Sequence, residues 1–329
     1  MKILVTGGLG FIGSNFILYL AKKYPEFKII NVDAEFVGSN KANLVQLKNK
    51  KNYQYVKGNI TNQKLMDSLV AKADVVFNFA AESHVDRSIS NPRVFIDSNV
   101  LGAYTVLESV RKHKTKLVHI STDEVFGSLK KGSADENYAF NPSSPYSSTK
   151  ASAELLVKSY WSTYNIDAVI TRCTNNFGPR QFPEKLIPKT IILAIKNEEI
   201  PIFGTGKNIR DWIFVDDHCD AVMTIFKKGK SGESYNIAGH NELSNNYIVR
   251  KILESLGKSV KLIKYVSDRP GHDFRYSLNS SKIQRELGWK PKHTFEEGLD
   301  ATITWYLNNK EWWQRISDKR ILVGVKNAK

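Results

Sequence analysis

Short apolar runs alternate with amphipathic stretches along the first half of the chain. Runs rich in aliphatic residues recur at 2–6, 28–32, 53–56, 74–79, 116–120 and 167–171. Between these runs, helical spacing of apolar positions is found near 62–71, 92–112 and 145–164. Almost continuously hydrophobic strands separated by helices are typical of a parallel sheet covered on both faces. The pattern therefore predicts an α/β fold built on a doubly wound parallel sheet.

The second half of the chain has shorter elements and more loops. Loop-like segments occur at 174–184, 204–212, 239–244 and 267–279. The strand-like segment 212–215 and the helix after Asp217 could return to the first sheet, so the two halves do not separate cleanly. We predict three parts, which are a first domain over 1–173, a smaller C-terminal substrate-binding lobe over 174–316, and a basic tail over 317–329.

Three glycines follow the first predicted strand and open the first helix. The spacing of Gly7, Gly10 and Gly13 suits a turn that leaves helix N–H groups free to bind a pyrophosphate. Asp33 ends the second strand, where its carboxylate can accept hydrogen bonds from the adenosine ribose and would repel a 2′-phosphate. These features predict a Rossmann-type domain that binds NAD.

Polar and small residues also follow the third and fourth strands. Asn59 and Ile60 follow the third strand, and Ala80 and Ala81 follow the fourth. Ligands of open α/β sheets bind at the carboxyl ends of parallel strands. We therefore expect both segments to contact the dinucleotide.

The charge of the chain changes this picture little. Its 329 residues include 48 Lys and Arg against 33 Asp and Glu, which gives a net charge of +15. The basic residues are scattered and form no nucleic-acid-binding motif, so they indicate a solvated surface that would attract an anionic substrate. Apolar runs fall short of the ~20 residues of a membrane span, and Cys173 and Cys219 lack metal-ligand spacing. We expect a cytoplasmic protein with no metal and no nucleic-acid or membrane partner.

A tyrosine and a lysine one helical turn apart are the first candidates for chemistry. Tyr146 and Lys150 have this spacing. The helix of Tyr146 follows the loop that leaves the fifth strand, and that loop brings Thr122, Asp123 and Glu124 to the edge where a nicotinamide should lie. Position distinguishes this pair, because the same spacing recurs at Tyr19/Lys23, Tyr24/Lys28, Tyr53/Lys57, Tyr247/Lys251 and Tyr306/Lys310.

The chain resembles the extended short-chain dehydrogenase/reductase family, and within it the dTDP-glucose 4,6-dehydratases. The resemblance covers nearly the whole chain up to about residue 316. It is carried by residues 5–13, 80–88 (AAESHVDRS), 121–127 (STDEVFG), 146–150, 172–188 (RCTNNFGPRQFPEKLIP), 209–215 (IRDWIFV), 235–242 (YNIAGHNE) and 268–276 (DRPGHDFRY).

This resemblance implies conversion of dTDP-glucose to dTDP-4-keto-6-deoxyglucose and water by intramolecular hydride transfer through bound NAD. Tyr146 would remove the proton of the sugar 4-hydroxyl, and Lys150 would lower the pKa of that phenol and hold the nicotinamide ribose. Thr122 would hydrogen-bond the same hydroxyl. Asp123 would protonate the departing 6-hydroxyl, and Glu124 would remove the proton at carbon 5.

The resemblance also implies binding positions and a homodimer through the helices near 92–112 and 145–164. The cofactor positions are Gly7, Gly10, Phe11, Ile12, Gly13, Asp33, Asn59, Ile60, Ala80, Ala81, Ser98, Tyr146, Lys150 and Asn176. The nucleotide-sugar positions are Ser83, Thr122, Asn175, Lys185, Leu186, Pro201, Ile202, Phe203, Arg210, Asn245, Arg269 and His272.

Other activities of the same family stay open at this point. A 4-epimerase, a UDP-glucuronate decarboxylase and a dehydratase of UDP-glucose would share most of these segments. Asp123 argues against the first two, because an epimerase needs no acid and base at carbons 5 and 6 and decarboxylases typically have Ser before the Glu. A non-catalytic NAD-binding regulator would not need Tyr146, Lys150, Asp123 and Glu124.

The chain departs from the family pattern at a few positions. Asn59 replaces the usual Asp beside the adenine, and the segment 34–38 is unlike the usual one. Phe126 and Phe177 replace tyrosines, which removes two hydroxyl groups near the site.

Overall fold

The computed structural model describes residues 1–316, and the predicted basic tail at 317–329 lies outside the described residues. The strands are β1 (Lys2–Thr6), β2 (Lys28–Asp33), β3 (Tyr53–Lys57), β4 (Val75–Asn78), β5 (Lys116–Thr122), β6 (Ala168–Cys173), β7 (Asn175–Phe177), β8 (Ile200–Phe203), β9 (Ile209–Phe214), β10 (Ser234–Ile237), β11 (Glu242–Ser244) and β12 (Ile263–Val266). The α-helices are α1 (Phe11–Lys23), α2 (Gln63–Val70), α3 (Val85–Ser90), α4 (Pro92–Phe95), α5 (Gly102–His113), α6 (Pro145–Tyr164), α7 (Leu186–Lys196), α8 (Val215–Lys228), α9 (Asn245–Ser255), α10 (Ser281–Leu287), α11 (Phe295–Asn308) and α12 (Lys310–Gln314).

A parallel sheet organises the first half of the molecule. Within residues 1–316 its seven strands run in the order β3-β2-β1-β4-β5-β6-β10. Ile3 of β1 lies opposite Ile29 on one side and Val75 on the other, and all three side chains are buried. Strands buried on both faces explain the continuous apolar runs of the sequence. The predicted doubly wound, Rossmann-type fold is confirmed.

Two apolar layers cover the faces of this sheet. On one face, Phe16 and Ile17 of α1 pack in the same cluster as Val222 of α8. On the other face, Met66 of α2 and Val106 of α5 belong to the second cluster, which also includes side chains of α6. Each helix buries one stripe of apolar side chains against the sheet. The loops at the carboxyl edge of the sheet are therefore held between two rigid layers.

The second half of the chain builds a smaller lobe and also contributes to the main sheet. The segment Ser234–Ile237 forms β10 and pairs with β6. By contrast, β9 pairs with β7 and β11 in a three-stranded sheet, and β8 pairs with β12. The lobe has its own apolar core, in which Phe177, Phe214 and Phe295 are in contact.

The predicted helix near 92–112 is built from three connected pieces. A π-helical segment at Ile96–Leu101 joins α4 to α5. Such wide turns are rare in proteins and often accompany functional sites. Here the segment carries Ser98, which lines the cavity described below.

None of the helices in residues 1–316 has the length and apolar character needed to cross a membrane. Over that range, no group of three or more His, Cys, Asp or Glu side chains is arranged to hold a metal ion.

Candidate active site

The turn between β1 and α1 depends on its glycines. Gly7 has φ +68°, and a Cβ there would lie 2.7 Å from the backbone of Ala80. A Cβ on Gly13 would lie 2.4 Å from the carbonyl oxygen of Gly7. Helix α1 then begins at Phe11 with no side-chain cap, so its first N–H groups face the space above the turn. This arrangement can bind an anionic group of a ligand.

A cavity of about 290 Å³ lies at the carboxyl edge of the sheet, above this turn. Every position predicted to hold the cofactor lines it, including Gly7 and Asn176. Four predicted substrate positions also line it, namely Ser83, Thr122, Asn175 and Lys185. The remaining predicted substrate positions lie outside its lining, namely Leu186, Pro201, Ile202, Phe203, Arg210, Asn245, Arg269 and His272.

Asp33 is fixed in place at the end of β2. One carboxylate oxygen accepts from the Leu9 N–H at 2.9 Å, and the other accepts from the Glu35 N–H and the Ser39 hydroxyl at 2.8 and 2.7 Å. Each carboxylate oxygen has lone pairs for further bonds. An anchored carboxylate at this place favours a ribose hydroxyl over a phosphate.

Three departures from the family pattern are accommodated locally. The Asn59 side-chain oxygen accepts from the Thr61 N–H at 3.0 Å, which leaves its amide group free of contacts within the turn. Phe126 packs against Tyr138 and Phe140, and Phe177 packs in the core of the smaller lobe. Both phenylalanine rings are buried among apolar groups, where a hydroxyl would need a partner.

Helix α6 carries the tyrosine and lysine into the cavity. Its start is fixed by Ser144, which forms a reciprocal capping box with Ser147. Tyr146 and Lys150, one turn apart, are 8% and 5% exposed and line the cavity. The ammonium of Lys150 donates to the Ile120 carbonyl of β5 at 2.6 Å. The five other tyrosine–lysine pairs of the same spacing are absent from the cavity lining in the described residues.

Thr122, Asp123 and Glu124 follow one another at the end of β5. The Thr122 hydroxyl donates to an Asp123 carboxylate oxygen at 3.2 Å and accepts from the Glu124 N–H at 3.3 Å. Asp123 is 3% exposed, and its second oxygen has no protein partner. That oxygen is available to a ligand in the cavity.

The environments of the two carboxyl groups differ. Burial, reinforced by the neighbouring Glu124, raises the pKa of Asp123 well above its usual range. Burial also raises the pKa of Glu124, but the positive charges of Lys185, Arg269 and Arg210 oppose this effect. Asp123 is therefore the group that keeps a proton, and Glu124 is the one that ionises more readily.

Burial shifts the pKa values of Tyr146 and Lys150 in opposite directions. Burial, together with the charge of Glu124, raises the pKa of Tyr146 well above its ordinary value, while a hydrogen bond with Thr122 acts in the opposite direction. Burial lowers the pKa of Lys150 to about 8, and the nearby Glu154 carboxylate partly offsets this effect. A buried tyrosine of this kind needs positive charge nearby before it can accept a proton.

The predicted substrate positions outside the cavity lining lie on the smaller lobe and the loop that follows β12. Arg210 donates to the backbone carbonyl of Asp273 at 2.9 Å, and its guanidinium lies over the ring of Tyr276. In the loop, Arg269 contacts Asp86 of α3 at 2.9 Å, and His272 contacts Asp268 at 2.6 Å. The loop therefore joins the lobe to the first domain beside the cavity.

Several lining residues were not singled out from the sequence. Glu82, Arg87 and Glu184 line the cavity, and Arg87 contacts Glu184 at 2.8 Å and Glu82 at 3.5 Å. Cys173 also lines it and lies buried at the end of β6. All four fall within the segments 80–88 and 172–188, but residue types alone did not separate them from structural neighbours.

Comparison with known proteins identifies the class of protein. The family model described as GDP-mannose 4,6 dehydratase matches residues 4–302, and the chain belongs to this family of extended short-chain dehydrogenases/reductases. A dTDP-glucose 4,6-dehydratase of Escherichia coli is 43% identical, over 97% of each chain.

Solved structures give the same result. A dTDP-glucose 4,6-dehydratase of Streptomyces venezuelae with NAD and TYD bound has a TM-score of 0.94 at 41% identity, over 96% of this chain and 100% of that one. A UDP-glucuronic acid 4-epimerase of Bacillus cereus, with UDP-glucuronic acid and NAD, has a TM-score of 0.89 at 29% identity, over 94% and 99%. The chain is thus more similar in sequence to these dehydratases than to this epimerase.

Proposed function

We propose that the protein is a dTDP-glucose 4,6-dehydratase that uses NAD and releases water. The observation that carries this proposal is the carboxyl pair, buried Asp123 and partly exposed Glu124, in the same cavity as Tyr146 and Lys150. Removal of water across carbons 5 and 6 needs an acid and a base in different protonation states. Burial raises the pKa of Asp123 well above its usual range, which suits the acid. Nearby cations limit the rise at Glu124, which suits the base.

The residues present fit NAD. The uncapped start of α1 suits a pyrophosphate, and a Cβ on Gly10 would meet only the Gly7 carbonyl, so the backbone is open to a close ligand. Asp33 would accept from the adenosine ribose, and Lys150, with one N–H bound to Ile120, has two more to donate to the nicotinamide ribose. The chemistry that bound NAD would supply is a hydride acceptor for carbon 4 of the sugar and then a hydride donor for carbon 6, so no net oxidation would occur.

Tyr146 is the proposed base for the first step. The phenol would take the proton of the 4-hydroxyl, and Thr122, its hydrogen-bond partner, would contact the same hydroxyl. Since burial disfavours a phenolate here, the positive charge of Lys150 is needed near the phenol while it acts.

Glu124 and Asp123 are proposed to act next. Oxidation at carbon 4 makes the neighbouring carbon-5 hydrogen acidic, and the Glu124 carboxylate removes it. Asp123, kept protonated by burial, donates its proton to the 6-hydroxyl, which leaves as water. When carbon 6 regains the hydride, the Glu124 carboxyl would return a proton to carbon 5. The neighbouring cations Lys185, Arg210 and Arg269 favour the ionised form of Glu124.

The same cations explain the choice of substrate class. Lys185 is partly exposed at the start of α7, and its ammonium donates to the Ser83 carbonyl at 3.2 Å. With Arg210 and Arg269 it places three fixed positive charges beside the cavity, which suits the diphosphate of a nucleotide sugar. We assign the nucleotide to this side of the site and the sugar to the side of Tyr146.

The alternative activities fit the site less well. A 4-epimerase would need Tyr146 and Lys150 but has no use for a protonated carboxyl at Asp123. A regulator that binds NAD without chemistry would not need three buried ionisable groups, Asp123, Tyr146 and Lys150, around one cavity, since burying them is costly.

A direct assay tests the proposed function. The purified protein is incubated separately with dTDP-glucose, UDP-glucose and CDP-glucose, and the products are measured by mass spectrometry. We expect the dTDP sugar to lose the mass of one water without added stoichiometric NAD. A product of unchanged mass, or net formation of reduced cofactor, would exclude the dehydratase.

We also propose a homodimer through the helices near 92–112 and 145–164. Large apolar side chains are exposed on this surface of α5, α6 and the π-helical segment. Leu101, Tyr104 and Leu155 are 45%, 43% and 56% exposed. A second copy of the chain would cover these groups and remove them from water.

A further inference from the structure

The end of the described chain forms a cluster of aromatic rings. The ring of Trp305 contacts those of Tyr306 and Trp312, with centroids 5.0 Å apart in each pair. Trp313 is buried, and its indole N–H donates to the Tyr306 carbonyl at 2.9 Å. Packing explains the presence of the rings, but two polar connections lead from this cluster to the glycine turn.

The first connection starts at Trp312. Its indole N–H donates to the Asn43 side-chain oxygen at 2.8 Å, and the Asn43 amide donates to the Leu9 carbonyl at 3.0 Å. The Leu9 N–H in turn donates to the Asp33 carboxylate at 2.9 Å. Asn43 is 2% exposed, so water cannot replace a lost partner without rearrangement. A continuous hydrogen-bonded path therefore joins α12 to the carboxylate proposed to bind the ribose.

The second connection starts at Trp305. The Arg180 guanidinium lies over this ring, with its central carbon 5.7 Å from the centroid. Arg180 donates to the Asn15 side-chain oxygen at 2.8 Å, and the Asn15 amide donates to the Phe11 carbonyl at 2.9 Å. This path reaches Phe11, the first residue of α1, which lies on the other side of Gly10 from Leu9.

We propose that Trp312 and Arg180 are positioning residues for the dinucleotide. The two paths hold residues 9 and 11, on either side of Gly10, at the place where the pyrophosphate would lie. Neither Trp312 nor Arg180 lines the cavity, so each acts through its partners. The inference rests on the proposed binding of NAD and adds to it a dependence on the C-terminal helix α12.

Trp312→Phe tests this inference, since it keeps a ring in the cluster and removes only the N–H. Trp313→Phe is the matched control, because its N–H bonds within the cluster and does not reach the glycine turn. NAD and dTDP are titrated calorimetrically into the nucleotide-free full-length parent and both variants. We expect Trp312→Phe to bind NAD about tenfold more weakly and dTDP normally, as loss of the partly buried hydrogen bond to Asn43 predicts. Trp313→Phe should bind both as the parent does.

Hydrogen exchange gives a second readout that needs no nucleotide. Amides of residues 9–14 should exchange faster in Trp312→Phe than in Trp313→Phe, at equal global stability. Parent-like NAD binding in Trp312→Phe, or equal losses in the two variants, would overturn the inference and leave the proposed function standing. A parent that binds no NAD would overturn both.

Discussion

At the scale of residues, Tyr146 owes its proposed role to its surroundings and not to its spacing from a lysine. Tyr247 has the same spacing but is 42% exposed on α9, and Tyr19 donates to Asp220 at 2.8 Å. Only the position of α6 after β5 distinguished Tyr146 in the sequence. The local pattern was ambiguous because a four-residue spacing places side chains together on any helix.

Replacing the phenol tests this role. Tyr146→Phe keeps the ring, which packs edge-on against Phe95, and removes the group that takes the proton. We expect kcat to fall by about 100-fold to 10,000-fold, with dTDP-glucose still bound. Tyr247→Phe is the control and should keep parent activity. Near-normal turnover in Tyr146→Phe would contradict the assignment.

The pH dependence reports on Lys150. Burial lowers its pKa to about 8, so the ammonium is present below this pH and is lost as the pH rises through it. We therefore expect kcat to fall above about pH 8. Lys150→Arg should remove this alkaline decrease, since arginine keeps its charge. Lys189 has a pKa lowered to about 8 by burial as well, and Lys189→Arg should leave the decrease unchanged. An unchanged profile in Lys150→Arg would exclude Lys150 as its origin.

Binding positions show how much of the site was predictable. Gly7, Gly13 and Asp33 could be predicted because a turn and a strand end fix them locally. Arg87 and Glu184 could not, because their ion pair joins α3 to the loop before α7 across 97 positions of sequence. The hydrogen bond from Trp312 to Asn43 was missed for the same reason, because it spans 269 positions of sequence.

At the scale of elements, the orientation of α6 is fixed by a buried ion pair. Arg172 of β6 contacts Glu154 at 2.8 Å, and both side chains are fully buried. Glu154 lies one turn beyond Lys150, on the face that carries Tyr146. The pair thus joins the helix that carries the proposed base to the sheet beneath it.

Breaking this pair should destabilise the protein. Arg172→Leu would leave the Glu154 carboxylate buried without its cation, and we expect the free energy of unfolding to fall by about 3–5 kcal/mol. Lys264→Ala, which removes an exposed ion pair with Glu199, should change it by less than about 1 kcal/mol. Chemical denaturation measures the free energy of unfolding of both variants. Equally small changes in the two would show that the buried ion pair does not stabilise the protein.

Strands were easier to predict than the details of helices. The apolar runs placed the first six strands of the main sheet, and all of these except the edge strand β3 are mostly buried. The π-helical turn at Ile96–Leu101 has no such signal, since its extra residue per turn leaves the apolar pattern almost unchanged. The partner strands of β9 also depend on long-range packing that periodicity does not record.

For the whole molecule, the proposed dimer predicts that a charge introduced on the exposed apolar surface of α6 prevents dimerisation. Leu155→Glu places a carboxylate on the exposed apolar surface of α6, and burying it against a second copy would be unfavourable. We expect the parent to sediment as a dimer and Leu155→Glu as a monomer. Val260→Glu changes an equally exposed residue of the smaller lobe and should remain dimeric. A monomeric parent would contradict the proposal.

The central claim is that Asp123 and Glu124 carry out the elimination. Glu124→Gln and Asp123→Asn keep the size of each side chain and remove its acid–base function. Each variant and the parent are incubated with dTDP-glucose in deuterated water, and deuterium at carbon 5 and loss of water are measured by mass spectrometry.

The account predicts that the parent product carries solvent deuterium at carbon 5. Glu124→Gln should incorporate none, and both variants should release water at least about 100-fold more slowly than the parent. Parent rates of water loss in both variants would contradict the account, because the carboxyl pair would then be structural.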